Sequence, residues 1–367
     1  MTTDVSAQKT LLEAEIQRQG DLLRSVLTAR VTTVQDVIRA ATEKTPTGWV
    51  VTGCGDSLFA GMCAEYWFAE LDRLPLRAIH ALAFSRYLYR AVDSGSLVFA
   101  VSFSGSTARV VEAAVAAKSR GASVVAVTAN PDSRLVEQAD WWLPNDALGE
   151  RSNTRTLSFQ AACGLLNLAA AEVGGVSDPQ ASAIADAVDA VVRDAAQGVK
   201  AIVASLPDGL DFTVIGGGYG YPLACYGAAK LYEAATIPAH AAELEQFIHC
   251  EIFPISSSSC VVMVAPQGAS YARGVEVARG LRELGAVTIG ISNEPEFADL
   301  CTHFVPLPPG LNERDLPYVA AVPLQYLALE LALRRGDDPD VVANKRVNRP
   351  LIESVLAWDA RDYEAQS

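Results

Sequence analysis

Three strand endings recur at one offset of 163 positions. Val50-Val-Thr-Gly53 returns as Thr213-Val-Ile-Gly216, Val101-Ser-Phe-Ser-Gly105 as Val264-Ala-Pro-Gln-Gly268, and Val127-Thr-Ala-Asn130 as Gly290-Ile-Ser-Asn293. Agreement at a single offset without a gap means that one folding unit is present twice. In each copy short apolar strands end in Gly, Ser or Asn turns and alternate with helical patterns. Such a pattern builds a parallel sheet covered on both faces. The expected fold is therefore α/β, with two tandem doubly wound parallel-sheet domains related by internal duplication. The expected organisation is an N-terminal helical segment over 1-45, a first domain over 46-175, a second over 200-335 and a tail over 336-367. Ala7 to Ala40 reads as helical, and Ala181 to Ala204 as a helix before the second sheet.

The stretch that carries the most chemistry is Val98-Phe-Ala-Val-Ser102-Phe-Ser104-Gly105-Ser106-Thr107, with an alanine-rich helical run behind it. A strand that feeds a helix through Ser-x-Ser-Gly-x-Thr presents free backbone N–H groups, the positive helix end and hydroxyls to an anion. The turn has no lysine, so it is not a nucleotide P-loop. An ordinary turn with Ser104 or Ser106 as N-cap fits the same residues. In the second copy Ser102, Ser104 and Thr107 become Ala265, Gln267 and Ser270, so most of the hydroxyls are lost. This asymmetry predicts one anion site per chain, in the first copy. The turns at Gly53, Ser102, Asn130 and Glu150-Arg-Ser-Asn-Thr154 would gather at the carboxyl ends of the strands, where ligands bind in such sheets.

A net charge of −14 argues against a nucleic-acid partner and requires that any anionic ligand be held by local donors. The longest apolar runs read as shorter than a membrane span, and the start MTTDVSAQKT lacks the basic and apolar regions of a signal peptide. Seven cysteines without metal-type spacing fit a reduced protein. A cytoplasmic chain without metal or cofactor is expected.

Together the duplicated unit, Thr52-Gly-Cys-Gly-Asp-Ser57, Ser102-Phe-Ser-Gly-Ser-Thr107 and the Lys230/Glu233/His249 region resemble tandem sugar-isomerase (SIS) domains, which are flavodoxin-like. The isomerase half of glucosamine-6-phosphate synthase, fructosamine-6-phosphate deglycases and ketose/aldose phosphosugar isomerases share this pattern. The resemblance implies that Ser57, Ser102, Ser104 and Thr107 bind a sugar phosphate, with Phe103 contributing its backbone N–H. Asn153, Thr154 and Gln160 fall where the family places sugar-contacting residues.

Lys230 and Glu233 are neighbours on one face of a helical pattern that is apolar nearly all round, where a buried pair is costly unless it serves a purpose. The resemblance assigns Glu233 as the base that moves a proton between C1 and C2 through an enediol-type intermediate. Lys230 would hold it and stabilise developing oxyanion charge. His249 matches the histidine that helps to open the sugar ring and that reaches in from the neighbouring subunit, which implies a homodimer. Lys345 matches a C-terminal lysine that closes over the sugar.

The chain departs from the synthase at Cys250, Tyr226, Phe103 and Ser106, which alters the polar lining around the sugar. A glutaminase domain with its N-terminal cysteine is not expected, since the chain starts Met1-Thr2-Thr3. The expected activity is aldose/ketose phosphosugar isomerisation. The alternatives are deglycation or deamination of an amino-sugar phosphate with the same base, and non-catalytic sugar-phosphate sensing.

Overall fold

The computed structural model describes residues 9–43, 46–71, 75–175 and 180–340. The chain opens with α1 (Leu11–Ile16), α2 (Gln19–Ala29) and α3 (Val31–Thr42), and then enters the first sheet at β1 (Gly48–Gly53). There follow α4 (Asp56–Ala69), β2 (Leu76–His80), α5 (Ala81–Ala83), β3 (Ser96–Val101), α6 (Ala108–Ser119), β4 (Ser123–Thr128), α7 (Arg134–Glu137), β5 (Trp141–Pro144) and α8 (Leu157–Gly174). The helix α9 (Ala181–Ser205) leads to the second sheet: β6 (Asp211–Gly216), α10 (Gly220–Ala235), β7 (Ala239–Glu243), α11 (Leu244–His249), β8 (Ser259–Val264), α12 (Tyr271–Glu283), β9 (Val287–Ser292) and β10 (His303–Pro306). Two more helices, α13 (Leu316–Val319) and α14 (Ala321–Arg334), close the described chain.

Both sheets have five strands, all paired in parallel, in the orders β2-β1-β3-β4-β5 and β7-β6-β8-β9-β10. These orders are the same, so the duplication read from the sequence is a duplication of topology. In each sheet the strand order reverses beside the first strand, and a crevice opens there at the carboxyl ends. The central strands β3 and β8 are buried at every position, as Val-rich strands of a sheet covered on both sides must be.

The layers explain why the two units act as one body. One apolar cluster runs from the inner face of the first sheet (Val51, Phe99, Val125) through α2, α8, α9, α10 and α14 to the inner face of the second (Val214, Val262, Ile289). The outer faces pack separately, Val98 and Ala126 against α6 and Val261 and Met263 against α12. The order of layers is helix, sheet, shared helices, sheet, helix. Four buried polar side chains cross the shared layer: Gln160 Nε2 donates to Gln19 Oε1 at 2.9 Å, Gln19 Nε2 to Gln325 Oε1 at 2.6 Å, and Gln325 Nε2 to the Tyr226 hydroxyl at 2.9 Å.

Two expectations need correction. Within the described part of Ala7 to Ala40 there are three helices, broken at Gln17–Arg18 and at Arg30 so that α2 packs on α8 and α9 while α3 turns onto α8 and β5. Two stretches, Leu157–Gly174 and Glu313–Arg334, are long and apolar enough to cross a membrane, but 83% and 89% of them lie buried inside the protein. Their apolarity belongs to the shared layer.

Candidate active site

Two turns meet at the crevice of the first sheet. After β1 the chain passes through Gly55, whose φ of 53° and ψ of −131° suit only glycine, and α4 begins at Asp56 and Ser57. After β3 it forms the Ser102–Thr107 turn. Thr107 is the N-cap of α6, yet its hydroxyl makes no cap bond and pairs with the Ser102 hydroxyl at 2.9 Å. Ser104 Oγ accepts from the Ser106 hydroxyl at 3.0 Å and from the Ser106 N–H at 3.3 Å. Gly105, at φ +65°, closes the turn, and a Cβ there would lie 2.2 Å from Ser133 Oγ. Gly105→Ala is therefore expected to cost about 3 kcal/mol of stability, read as a lower midpoint in urea unfolding.

Between the turns lies a cleft of about 290 Å³ lined by Cys54, Gly55, Asp56, Ser57, Phe103, Ser104, Thr107, Asn145, Arg155, Ser158, Phe159, Ala162 and Glu233. Its polar end is the hydroxyl turn and its floor is a charged triad. Lys230, fully buried on α10, donates to Glu233 Oε2 at 2.5 Å, to Asp56 Oδ2 at 2.7 Å and to the Arg155 carbonyl at 3.1 Å. The ammonium sits 4.9 Å from the centre of the Tyr226 ring, which stacks at 4.0 Å on Phe159. Burial works against the charge of Lys230, but the Asp56 and Glu233 carboxylates outweigh it and hold its pKa above the ordinary lysine value. Burial also pushes the Asp56 carboxyl up to about 7, against the pull of Lys230. Asp56 Oδ1 is buried without a hydrogen-bond partner among the described residues.

The wall facing the triad is held by Glu150, whose Oε1 accepts the N–H groups of Thr156 and Leu157 at 2.7 Å each and of Ser158 at 3.2 Å. This buried carboxylate caps the start of α8 and fixes Arg155, which pairs with Glu150 at 3.4 Å and lies 5.1 Å over the Phe103 ring.

The structure brings Ser57, Phe103, Ser104, Thr107 and Glu233 into this cleft, with Lys230 beneath it and Ser102 behind Thr107. Asn153 is exposed and Thr154 is buried, and neither lines it. Their segment contributes Arg155 and Ser158 instead. Gln160 is spent in the shared layer, donating to Gln19 and to the Tyr318 carbonyl. Asn130 also stays out of the cleft. His249 closes α11 with a side chain 69% exposed, 3.4 Å from Glu245, and reaches no residue of the cleft in this chain. Lys345 lies outside the described residues. Sequence reasoning gave no role to Asp56, Asn145, Arg155 or Phe159. The one local signal was Asp56 as the first residue of a helix after a glycine turn, and an acid there reads as ordinary helix-end charge.

The equivalent crevice of the second sheet is filled from within. Glu313 Oε2 accepts the Ala269 N–H at 3.3 Å, and a Cβ added to Gly268 would lie 2.3 Å from that oxygen. One added to Gly218, in the turn after β6, would lie 3.2 Å from Glu313 Oε1.

The first of the two units, with its hydroxyl turn at the switch point, is a SIS domain: residues 49–171 match the family model of the SIS domain. The chain is 28% identical over 310 residues to the glutamine–fructose-6-phosphate aminotransferase (isomerizing) of Zymomonas mobilis, and 31% over 315 residues to that of Mycobacterium leprae. Each alignment covers 80% of this chain, and the chain spans about half the length of these relatives (50% and 49%). Among solved structures it is similar to the C-terminal domain of glucosamine-fructose-6-phosphate aminotransferase from Francisella tularensis, with a TM-score of 0.79 and 22% identity over 91% of this chain and 98% of that one. It is similar to the tagatose-6-phosphate ketose/aldose isomerase from Escherichia coli, with a TM-score of 0.79 and 19% identity over 92% and 96%. The glucosamine-6-phosphate deaminase from Thermotoga maritima is also similar, with a TM-score of 0.72 and 20% identity over 90% and 97%. These structures share the fold.

Proposed function

We propose that the chain is a phosphosugar isomerase that transfers a proton between C1 and C2 of an open-chain sugar phosphate through an enediol or enediolamine. The reading is carried by one observation: the Glu233 carboxylate, held on a buried lysine, faces the same cleft as the hydroxyls of Ser104 and Thr107. The phosphate would seat in the Ser57, Ser104 and Thr107 cradle, with Ser102 orienting Thr107. Glu233 would take the proton, and Lys230 would hold the base and stabilise oxyanion charge. Deglycation or deamination of a 6-phosphorylated amino sugar uses the same base and cradle, with nitrogen as leaving group.

The test is proton exchange by NMR in deuterated water over a panel of ketose, aldose and fructosamine 6-phosphates. Deuterium entering at C1 or C2 is expected with the true substrate, and the product separates isomerase from deglycase. A ligand that raises Tm while none exchanges would leave only a sugar-phosphate sensor.

The enzyme would work as a homodimer in the cytoplasm, where its seven free cysteines stay reduced. The exposure of His249, which touches no residue of its own chain's cleft, supports a role in the cleft of a second copy. Mixing inactive Glu233→Gln and His249→Ala chains is then expected to restore about a quarter of wild-type activity, since half the dimers would be mixed and each would hold one intact site. No recovery on mixing would place His249 with the cleft of its own chain or outside catalysis.

A further inference from the structure

The wall of the cleft is fastened from behind. Glu150 and Arg155 lie in the loop between β5 and α8, and the N-terminal segment grips that loop. Glu15, on α1 and 4% exposed, accepts the Arg151 N–H at 2.5 Å and the Ser152 N–H at 2.9 Å on one oxygen. Asp340, at the other end of the described chain, accepts the Leu11 and Leu12 N–H groups at 2.5 and 3.0 Å. It also accepts the Ser152 hydroxyl at 3.4 Å, which ties the start of α1 to the same loop. Arg18 donates to the Leu148 carbonyl at 2.9 Å from the surface. Glu15 is the buried acid of this group, and a buried carboxylate that accepts backbone N–H groups is a stronger anchor than an exposed contact.

On its other side the loop meets the triad. The Arg155 carbonyl accepts from the Tyr226 hydroxyl and from Lys230 Nζ, at 3.1 Å each, and is the third acceptor of an ammonium whose other two are Asp56 and Glu233. None of the residues lining the cleft comes from α1. We propose that Glu15 is a positioning residue: by fixing the backbone at Arg151 and Ser152 it sets the Arg155 carbonyl against Lys230, and so sets where Lys230 holds the Glu233 carboxylate. This rests on the proton-transfer reading above. Lys230 spends its three N–H groups on three acceptors. If the carbonyl withdraws, the ammonium recentres on the two carboxylates, and Glu233 moves with it. A reacting group displaced by about 1 Å loses about a hundredfold in rate.

The test compares Glu15→Ala, Glu15→Gln and Glu15→Asp in the full chain. It reads proton exchange from deuterated water with the sugar phosphate on which wild type is most active, and calorimetric titration with inorganic phosphate. Glu15→Ala removes the acceptor and is expected to lower kcat about thirtyfold while Kd for phosphate stays within about twofold. Glu15→Gln is expected to keep kcat within about threefold of wild type. Glutamine keeps an acceptor oxygen at the place of Oε1 and puts its amide at the place of Oε2, which is buried without a hydrogen-bond partner among the described residues. Glu15→Asp draws the oxygen back by one methylene and is expected to lower kcat about tenfold. It carries the test if Glu15→Ala does not fold.

A residue that served only the stability of α1 would lower Tm in these variants and leave kcat unchanged below the melting range. Wild-type kcat in Glu15→Ala, or in Glu15→Asp where the alanine variant does not fold, therefore overturns the inference and leaves the proton-transfer reading standing. A loss of kcat in Glu15→Gln as deep as in Glu15→Ala overturns it too, and so does a parallel loss of phosphate binding, since neither follows from one displaced carbonyl. If wild type exchanges no proton with any sugar phosphate, both the inference and the reading fall.

Discussion

Glu233→Gln is expected to lower kcat about a thousandfold while KM for the sugar phosphate stays within about threefold. Glutamine keeps the shape of the side chain and removes only its capacity to accept the proton. The cradle is untouched, and Lys230 retains Asp56 at 2.7 Å, so the triad remains a paired site and the chain still folds. Loss of kcat without loss of binding is the signature of an interaction made only in the transition state. Deuterium uptake from solvent should vanish in parallel. If KM rises as steeply as kcat falls, Glu233 is a binding group and the base lies elsewhere.

Lys230→Met should produce the largest stability loss of any single substitution in the cleft. It leaves two carboxylates on the floor without their cation, a change that costs about 3–5 kcal/mol when a buried pair is broken from one side. A fall in Tm of about 10 °C is expected at neutral pH. The loss must also depend on pH in a definite direction. The folded Asp56 carboxyl titrates near 7 against an ordinary 3.8, so the native state holds this proton more tightly than the unfolded chain. That contribution is whole below the unfolded value and is lost as pH rises through the folded value. Without Lys230 the folded value moves higher still. The gap in Tm between wild type and Lys230→Met should therefore widen toward alkaline pH and narrow on acidification, read by thermal melts across the range. A gap independent of pH would mean that the lysine contributes its buried methylenes and no charge pairing.

Much of this was readable because it is local. Strand endings at a fixed offset disclose a duplication, and the hydroxyl turn at Ser102–Thr107 marks the edge of a cleft, since both depend on neighbours in the chain. The first-copy cradle and the loss of its hydroxyls in the second were legible for the same reason. Asp56 was not, because its meaning comes from Lys230, which lies far along the chain and meets it only when α10 packs against α4. The break at Arg30 had no Pro or Gly to announce it, and the one at Gln17–Arg18 only Gly20 in the first turn of α2; both follow from how α2 and α3 wrap onto α8. Matching Asn153 and Thr154 to a family segment located the right loop. It could not tell which residues of that loop turn inward, and the Glu150 cap on α8 decides that in favour of Arg155 and Ser158.

Glu313 gives the two halves different thermodynamics. A crevice that waits for a ligand gains stability in proportion to the logarithm of ligand concentration. One occupied by a tethered carboxylate is saturated at every concentration, because the tether sets the local supply. Ligand-dependent protection against hydrogen exchange and proteolysis is thus expected in the turns after β1 and β3 and where α10 and the start of α8 line the same cleft, and not in the turns after β6 and β8 that Glu313 already fills.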